Sequence, residues 1–355
     1  MNLLILLTLS VPVDSIFWEP LDSLIVKGLN YAYAERYKEA HLYFDLAIKN
    51  YPENPIGYLY KAALLDLYMI DFETDVYENM FYMYADSAID KASRIRMKPG
   101  LPNDSVALYY FVEGSAYAYK AIRKGRNKEY ISALNYGKKS IELLKKSLAY
   151  DSTLYDAYLP LGVFEFAMTK APGILKIFVP ENFSREEAMR KIELSINKSK
   201  YLRTYAENAY TWVLLYDNQA DSAIKIAEKL VSEYPSSRTF RWTLSYCQRK
   251  LGKWDEALKN HEVILYLTLR DQPWNYYNVA LSLYYLSICS YVVGDKRRSL
   301  FYARQCADEM KKAPDGKPLK DRIIRVAQNL SQRLEKYQGD DLFVDPKGVE
   351  KYVIP

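Results

Sequence analysis

LIVKGLNYAYAERYKEAHLYFDLAIKNYP, from Leu24 to Pro52, is the stretch whose reading decides the fold. Gly28 is followed by Tyr31 three residues on and Ala40 twelve on, and Phe44, Ala47 and Pro52 follow the glycine by sixteen, nineteen and twenty-four. Gly28 and Ala40 are small where two helix backbones must approach closely. Phe44 and Tyr31 fill the wider gaps, and Pro52 ends the second helix because it has no N–H for the ladder.

The pattern repeats outward. Pro55 opens another first helix, and its partner over about Val76–Arg96 carries Ala85, Ala88 and Ala92 at helical spacing. The turn Lys98–Asp104 breaks the pattern. Gly114 and Tyr117 repeat the spacing of Gly28 and Tyr31, but the next helix aligns only if roughly fourteen extra residues intervene. That expansion, about 120–130, holds the basic residues Lys120, Arg123, Lys124, Arg126 and Lys128. Gly162 marks a fourth first helix, followed by an apolar insert over 169–183 with Ile174, Leu175, Ile177, Phe178 and Val179 between Pro172 and Pro180. Ala223 and Pro235 then restore the twelve-residue interval of Ala40 and Pro52. At Leu251–Leu258, Gly252 permits a turn, Trp254 packs over it and Ala257 meets the facing helix. Gly294 repeats that turn with Ser299 in the alanine's place. A last amphipathic helix over about Leu319–Tyr337 would cover the apolar face that an end repeat exposes.

These spacings resemble the tetratricopeptide repeat, a unit of about 34 residues built from two antiparallel helices. The resemblance covers most of residues 21–310. It implies an all-α, right-handed superhelical solenoid of about seven helix pairs with a C-terminal capping helix, binding partner segments on its concave face. The expanded middle also resembles uncharacterised bacterial exported repeat proteins with a proline-bounded insert after a PLG-type helix, here Pro160–Gly162. The domain reading is a signal peptide over 1–15, a solenoid over 16–337 and a tail over 338–355.

Carried over from the family, the groove-facing positions fall one and five residues after each glycine and three before it. They are Leu29, Tyr33 and Ile25, then Ser115, Tyr119 and Phe111, then Val163, Ala167 and Leu159. The last two pairs, aligned by their turns, add Trp242, Tyr246, Tyr284 and Tyr291. Such rings combine large contact area with few rotatable bonds. The alternative is that they pack between helices, because the chain holds 35 tyrosines throughout. Repeat proteins that grip acidic chaperone tails place lysine and asparagine where Ile25 and Leu29 stand, so that clamp is not expected.

The N-terminus MNLLILLTLSVPVDS reads as a signal peptide with cleavage after Ser15, its apolar run being too short to span a membrane. Export to the periplasm or beyond is the expectation. A hydrophobic first helix in a cytoplasmic protein is the alternative.

Composition narrows the function. A net charge of +5 suits no dedicated nucleic-acid binder. His41 and His261 are the two histidines, and no phosphate loop, HExxH or G-x-S-x-G pattern occurs. Cys247, Cys289 and Cys306 stand singly in helical patterns, as packing residues would. No enzyme and no cofactor are expected. The reading is a scaffold for unidentified protein partners in the bacterial envelope. Alternatives are a membrane-surface assembly factor using the basic run and the apolar insert, with peripheral membrane contact, and a carrier of a small molecule or lipid.

Overall fold

The protein is described by a computed structural model over residues 20–170, 183–317 and 319–335. The expected signal peptide, most of the 169–183 insert and the tail from 338 lie outside the described residues. Those described form fifteen α-helices and no strand. Seven consecutive pairs are α1 (Leu21–Tyr33) with α2 (Tyr37–Asn50), α3 (Pro55–Asp71) with α4 (Glu78–Arg96), α5 (Asn103–Arg126) with α6 (Tyr130–Tyr150), α7 (Tyr158–Lys170) with α8 (Arg185–Lys198), α9 (Arg203–Tyr216) with α10 (Ala220–Glu233), α11 (Arg238–Lys250) with α12 (Trp254–Asp271), and α13 (Tyr276–Val292) with α14 (Lys296–Lys312). A single helix, α15 (Lys320–Leu334), follows. The architecture is all-α and tetratricopeptide-like.

The spaced small residues do what their size requires. A Cβ on Gly28 would stand 2.5 Å from Cε1 of Phe44, and one on Gly162 would stand 2.7 Å from the backbone oxygen of Ala188. A Cβ on Gly114 would stand 2.9 Å from Cγ of Leu144. Ala40, Phe44, Ala47, Ala223 and Ala257 are all buried, and Tyr31 stacks on Tyr43 with centroids 5.3 Å apart. Ser299 is buried in the alanine's place, and its hydroxyl donates to the Ser287 carbonyl at 2.8 Å. The substitution therefore leaves no orphaned hydroxyl. Pro52 and Pro235 lie in the turns that follow α2 and α10, as helix terminators should.

One turn recurs between paired helices. The N–H of Arg36, Thr74, Glu129, Gln219 and Lys253 each donates to the carbonyl five residues before it, closing the helix end. The residue just before each donor is left-handed: Glu35, Glu73, Lys128, Asn218 and Gly252. Gly294 is also left-handed, at φ 89°.

The chain divides into two compact units, where the sequence reading has one continuous array. Among the described residues, the first comprises those up to Ala32 with Arg36–Asp66 and Glu78–Leu154; the second comprises Tyr33–Glu35, Leu67–Tyr77 and those from Tyr155 on. In the second unit each helix from α7 to α15 packs on the next in sequence, and α9 also touches α11. Ile323, Ala327 and Leu334 of α15 are buried while most of its other side chains face water, so α15 covers the last pair. The expansion at 120–130 becomes helix: α5 reaches 24 residues and α6 21.

Candidate partner-binding surface

In the second unit, Trp242, Tyr246 and Arg249 are spaced i, i+4 and i+7 and so share one face of α11. The preceding first helix brings Trp212 within 5.2 Å of Tyr246, centroid to centroid, and extends the row to Tyr216 at 6.5 Å. The following first helix brings Tyr285 to 5.5 Å from Trp242. Tyr284 lies edge-on to Tyr285 at 5.2 Å. Arg249 joins the two halves, with its guanidinium 4.1 Å from the Tyr285 centroid and 5.5 Å from that of Tyr246. The row therefore crosses α9, α11 and α13, the first helices of three successive pairs. Most of its rings are half-buried, and Tyr216 at one end is 69% exposed.

His261 of α12 underpins the row. Its ring stacks on Tyr285 with centroids 5.1 Å apart and planes 4° apart, and it meets Trp242 edge-on. Nε2 shares a hydrogen bond with the Ser245 hydroxyl, while Nδ1 is buried without a partner. Burial, reinforced by the Arg249 charge, holds this imidazole far below its ordinary pKa, so it is neutral at physiological pH. Tyr284 is raised by burial, while Arg322 and Arg249 pull the other way.

The charge pattern singles out Arg249. Among the arginines that are buried or half-buried, Arg96 pairs with Glu113, Arg123 with Asp66, Arg185 with Asp217, Arg238 with Asp71 and Arg298 with Glu262. Arg241 instead donates to the Pro235 carbonyl and the Asn260 side chain. Arg249 has no such acceptor among the described residues, and its Nε is buried without a partner. Among the described residues, Lys250 beside it meets the Tyr246 ring at 6.0 Å.

Of the rings expected to line a groove, Trp242, Tyr246 and Tyr284 meet in this row, and Tyr291 lies further along α13, 46% exposed. Tyr119 is half-buried on α5. Tyr33 is half-buried against Tyr234 and Phe240 within the second unit. Phe111 is a correction: it is 1% exposed and belongs to the core, as do Ile25 and Leu159. All three precede a glycine by three residues, and positions i and i+3 share a helix face. The face that carries the glycine packs on the paired helix, so it cannot line a groove. Leu29 and Ser115 are buried too, whereas Val163 and Ala167 are exposed. Trp212, Tyr216, Tyr285 and Arg249 were not anticipated. No glycine marks the register of α9, and Tyr285 stands one residue beyond Tyr284, to which the turn-based register points.

The basic run has a structural explanation in the first unit. Lys120 bonds Asp86 at 2.6 Å, Arg123 bonds Asp66 at 2.7 Å and Lys124 bonds Glu129 at 2.8 Å. Arg123 is buried among them. The cysteines are buried and free, their thiols pushed up to about 12, 11 and 12 at Cys247, Cys289 and Cys306 by desolvation, so they pack rather than react. No three His, Cys, Asp or Glu side chains among the described residues are arranged to hold a metal. No described helix is long and apolar enough to cross a membrane.

A second polar cluster lies in the second unit, at the start of α11. Arg238 bonds Asp71 at 2.5 Å and Asp271 at 2.6 Å, and stands 3.0 Å from Glu35. Glu35 also accepts from the Thr239 N–H at 2.8 Å and from the Ser237 hydroxyl at 3.3 Å. Asn275 and Asn278 donate to the carbonyls of Phe72 and Asp71. Every side chain here has partners within the protein, so it serves cohesion.

No protein-family model matches the chain and no curated protein matches it. Among solved structures, it is similar to YrrB, described as a TPR protein with an unusual peptide-binding site, at 17% identity over 60% of this chain and 91% of that one, with a TM-score of 0.39. It is also similar to the TPR domain of P58(IPK), at 12% identity over 90% of this chain and 99% of that one, with a TM-score of 0.27.

Proposed function

We propose that this protein is a non-catalytic scaffold that holds a segment of another protein along the ring row of α9, α11 and α13. The observation that carries this reading is the continuity of the row from Tyr216 to Tyr284 across three successive first helices. The rings between its ends stay half-buried rather than buried, and Tyr216 is 69% exposed. Half-buried tyrosine and tryptophan lose little conformational entropy on binding and supply the large contacts of interface hot spots. Lys120, Arg123 and Lys124 of the basic run are held in internal ion pairs, which weakens the case for a membrane-surface role.

We also propose export, on the apolar run Leu3–Leu9 followed by small residues up to Ser15. N-terminal sequencing after expression in a bacterial host tests it: a mature start near Ile16 supports export, and an intact Met1 removes it.

The scaffold reading is tested by panning a phage library of random dodecapeptides on the purified full chain. Peptides should enrich on the wild type and be lost on the double variant Tyr246→Ala, Tyr285→Ala, with far-UV circular dichroism unchanged. Enrichment that ignores these two rings would overturn the reading.

A further inference from the structure

Within the ring row, Arg249 is a cation that meets no carboxylate among the described residues. Burying part of a guanidinium costs free energy unless its N–H groups find acceptors, and this chain supplies acceptors to every other arginine that is buried or half-buried. Among the described residues Arg249 meets the faces of Tyr285 and Tyr246, and its Nε is buried without an acceptor. Stacking a guanidinium on a ring uses its flat face and leaves its N–H edge available for a planar acceptor. A carboxylate matches that edge, with two oxygens for two parallel N–H groups.

The surroundings have the same sign. Lys250 lies over the Tyr246 ring, and the charges of Arg322 and Arg249 both reach the Tyr284 hydroxyl. We infer that the segment held on this row is acidic, with one of its carboxylates on Arg249 and apolar side chains to either side on Trp212, Tyr246 and Tyr285. The inference rests on the scaffold reading and names its partner's chemistry. A small free anion would use Arg249 alone and leave the rings on both sides without an occupant. A protein segment uses both.

The test takes the peptides that the dodecapeptide library enriches on the wild-type chain. Their common feature should be an Asp or Glu flanked by apolar residues. Replacing that residue by its amide should weaken binding about tenfold or more, as expected for loss of a charged hydrogen-bonded pair. Against Arg249→Gln the acid and amide forms should bind alike, and Arg249→Lys should restore part of the preference. Binding of the acidic form should weaken with added salt in the wild type and less so in Arg249→Gln. Peptides that depend on Tyr246 and Tyr285 but show no acidic preference, or ignore Arg249→Gln, would overturn this inference and leave the scaffold reading standing. Absence of any ring-dependent peptide would overturn both.

Discussion

The Arg249 guanidinium lies 4.1 Å from the centre of the Tyr285 ring and meets no carboxylate among the described residues. A cation–π contact at such a site is worth about 0.5–2 kcal/mol, and the buried Nε that lacks an acceptor offsets part of it. Arg249→Met should therefore change stability by no more than about 1 kcal/mol, read from urea unfolding followed by circular dichroism. A loss several times larger would make Arg249 a structural residue.

Arg123 is the contrasting case, in the first unit. Its Nε and Nη2 both donate to Oδ1 of Asp66, at 3.0 and 2.7 Å, and both side chains are buried. Arg123→Met leaves the Asp66 carboxylate buried without its partner, at a cost of about 3–5 kcal/mol. Replacing both, as Arg123→Met with Asp66→Leu, should recover most of that loss. Unfolding curves of the single and double variants check it, and equal losses in the two would refute it.

The parts of the fold legible in the sequence are those set by local size and spacing. Gly28, Gly114 and Gly162 stand where helices touch because only glycine fits there. Groove register was not legible at the same positions, since the residue three before a glycine shares its core-facing side. The left-handed turns were legible at Gly252 and Gly294 but not at Glu35, Glu73, Lys128 or Asn218, where the residue type does not announce the conformation. Glu35 is held by bonds to Thr239 and Arg238, some two hundred residues away, and no local pattern encodes such partners. Trp212 and Tyr285 join the row through packing between pairs, for the same reason.

Glu35 predicts a pH dependence. Burial, with Asp71 beside it, pushes its carboxyl up from 4.5 to about 7, against the opposing pull of Arg238 and the Thr239 N–H. A carboxyl raised on folding binds its proton more tightly in the folded state, so its contribution to stability falls as pH rises from 4.5 to about 7. A window of about 2.5 pH units corresponds to roughly 3 kcal/mol. Glu35→Gln should remove that share of the pH dependence. Urea midpoints of both proteins at pH 5 and pH 7.5 measure it, and parallel profiles would contradict the assignment.

Gly162 is tested by one methyl group. Alanine gains about 1 kcal/mol of helix propensity, but its Cβ would press on the backbone oxygen of Ala188 at 2.7 Å. Overpacking of that kind costs about 1–3 kcal/mol, so Gly162→Ala should lower Tm. Gly137 on α6 has open space around its Cβ position, and Gly137→Ala should raise Tm slightly. Thermal melts that moved the same way for both would refute the packing argument.

The most direct test of the scaffold account is backbone amide exchange, with and without a selected peptide at saturation. The account predicts slowed exchange in α9, α11 and α13, around Trp212, Tyr246 and Tyr285, that disappears in the Tyr246→Ala, Tyr285→Ala variant. Protection confined to the first unit, or unchanged in that variant, would contradict it.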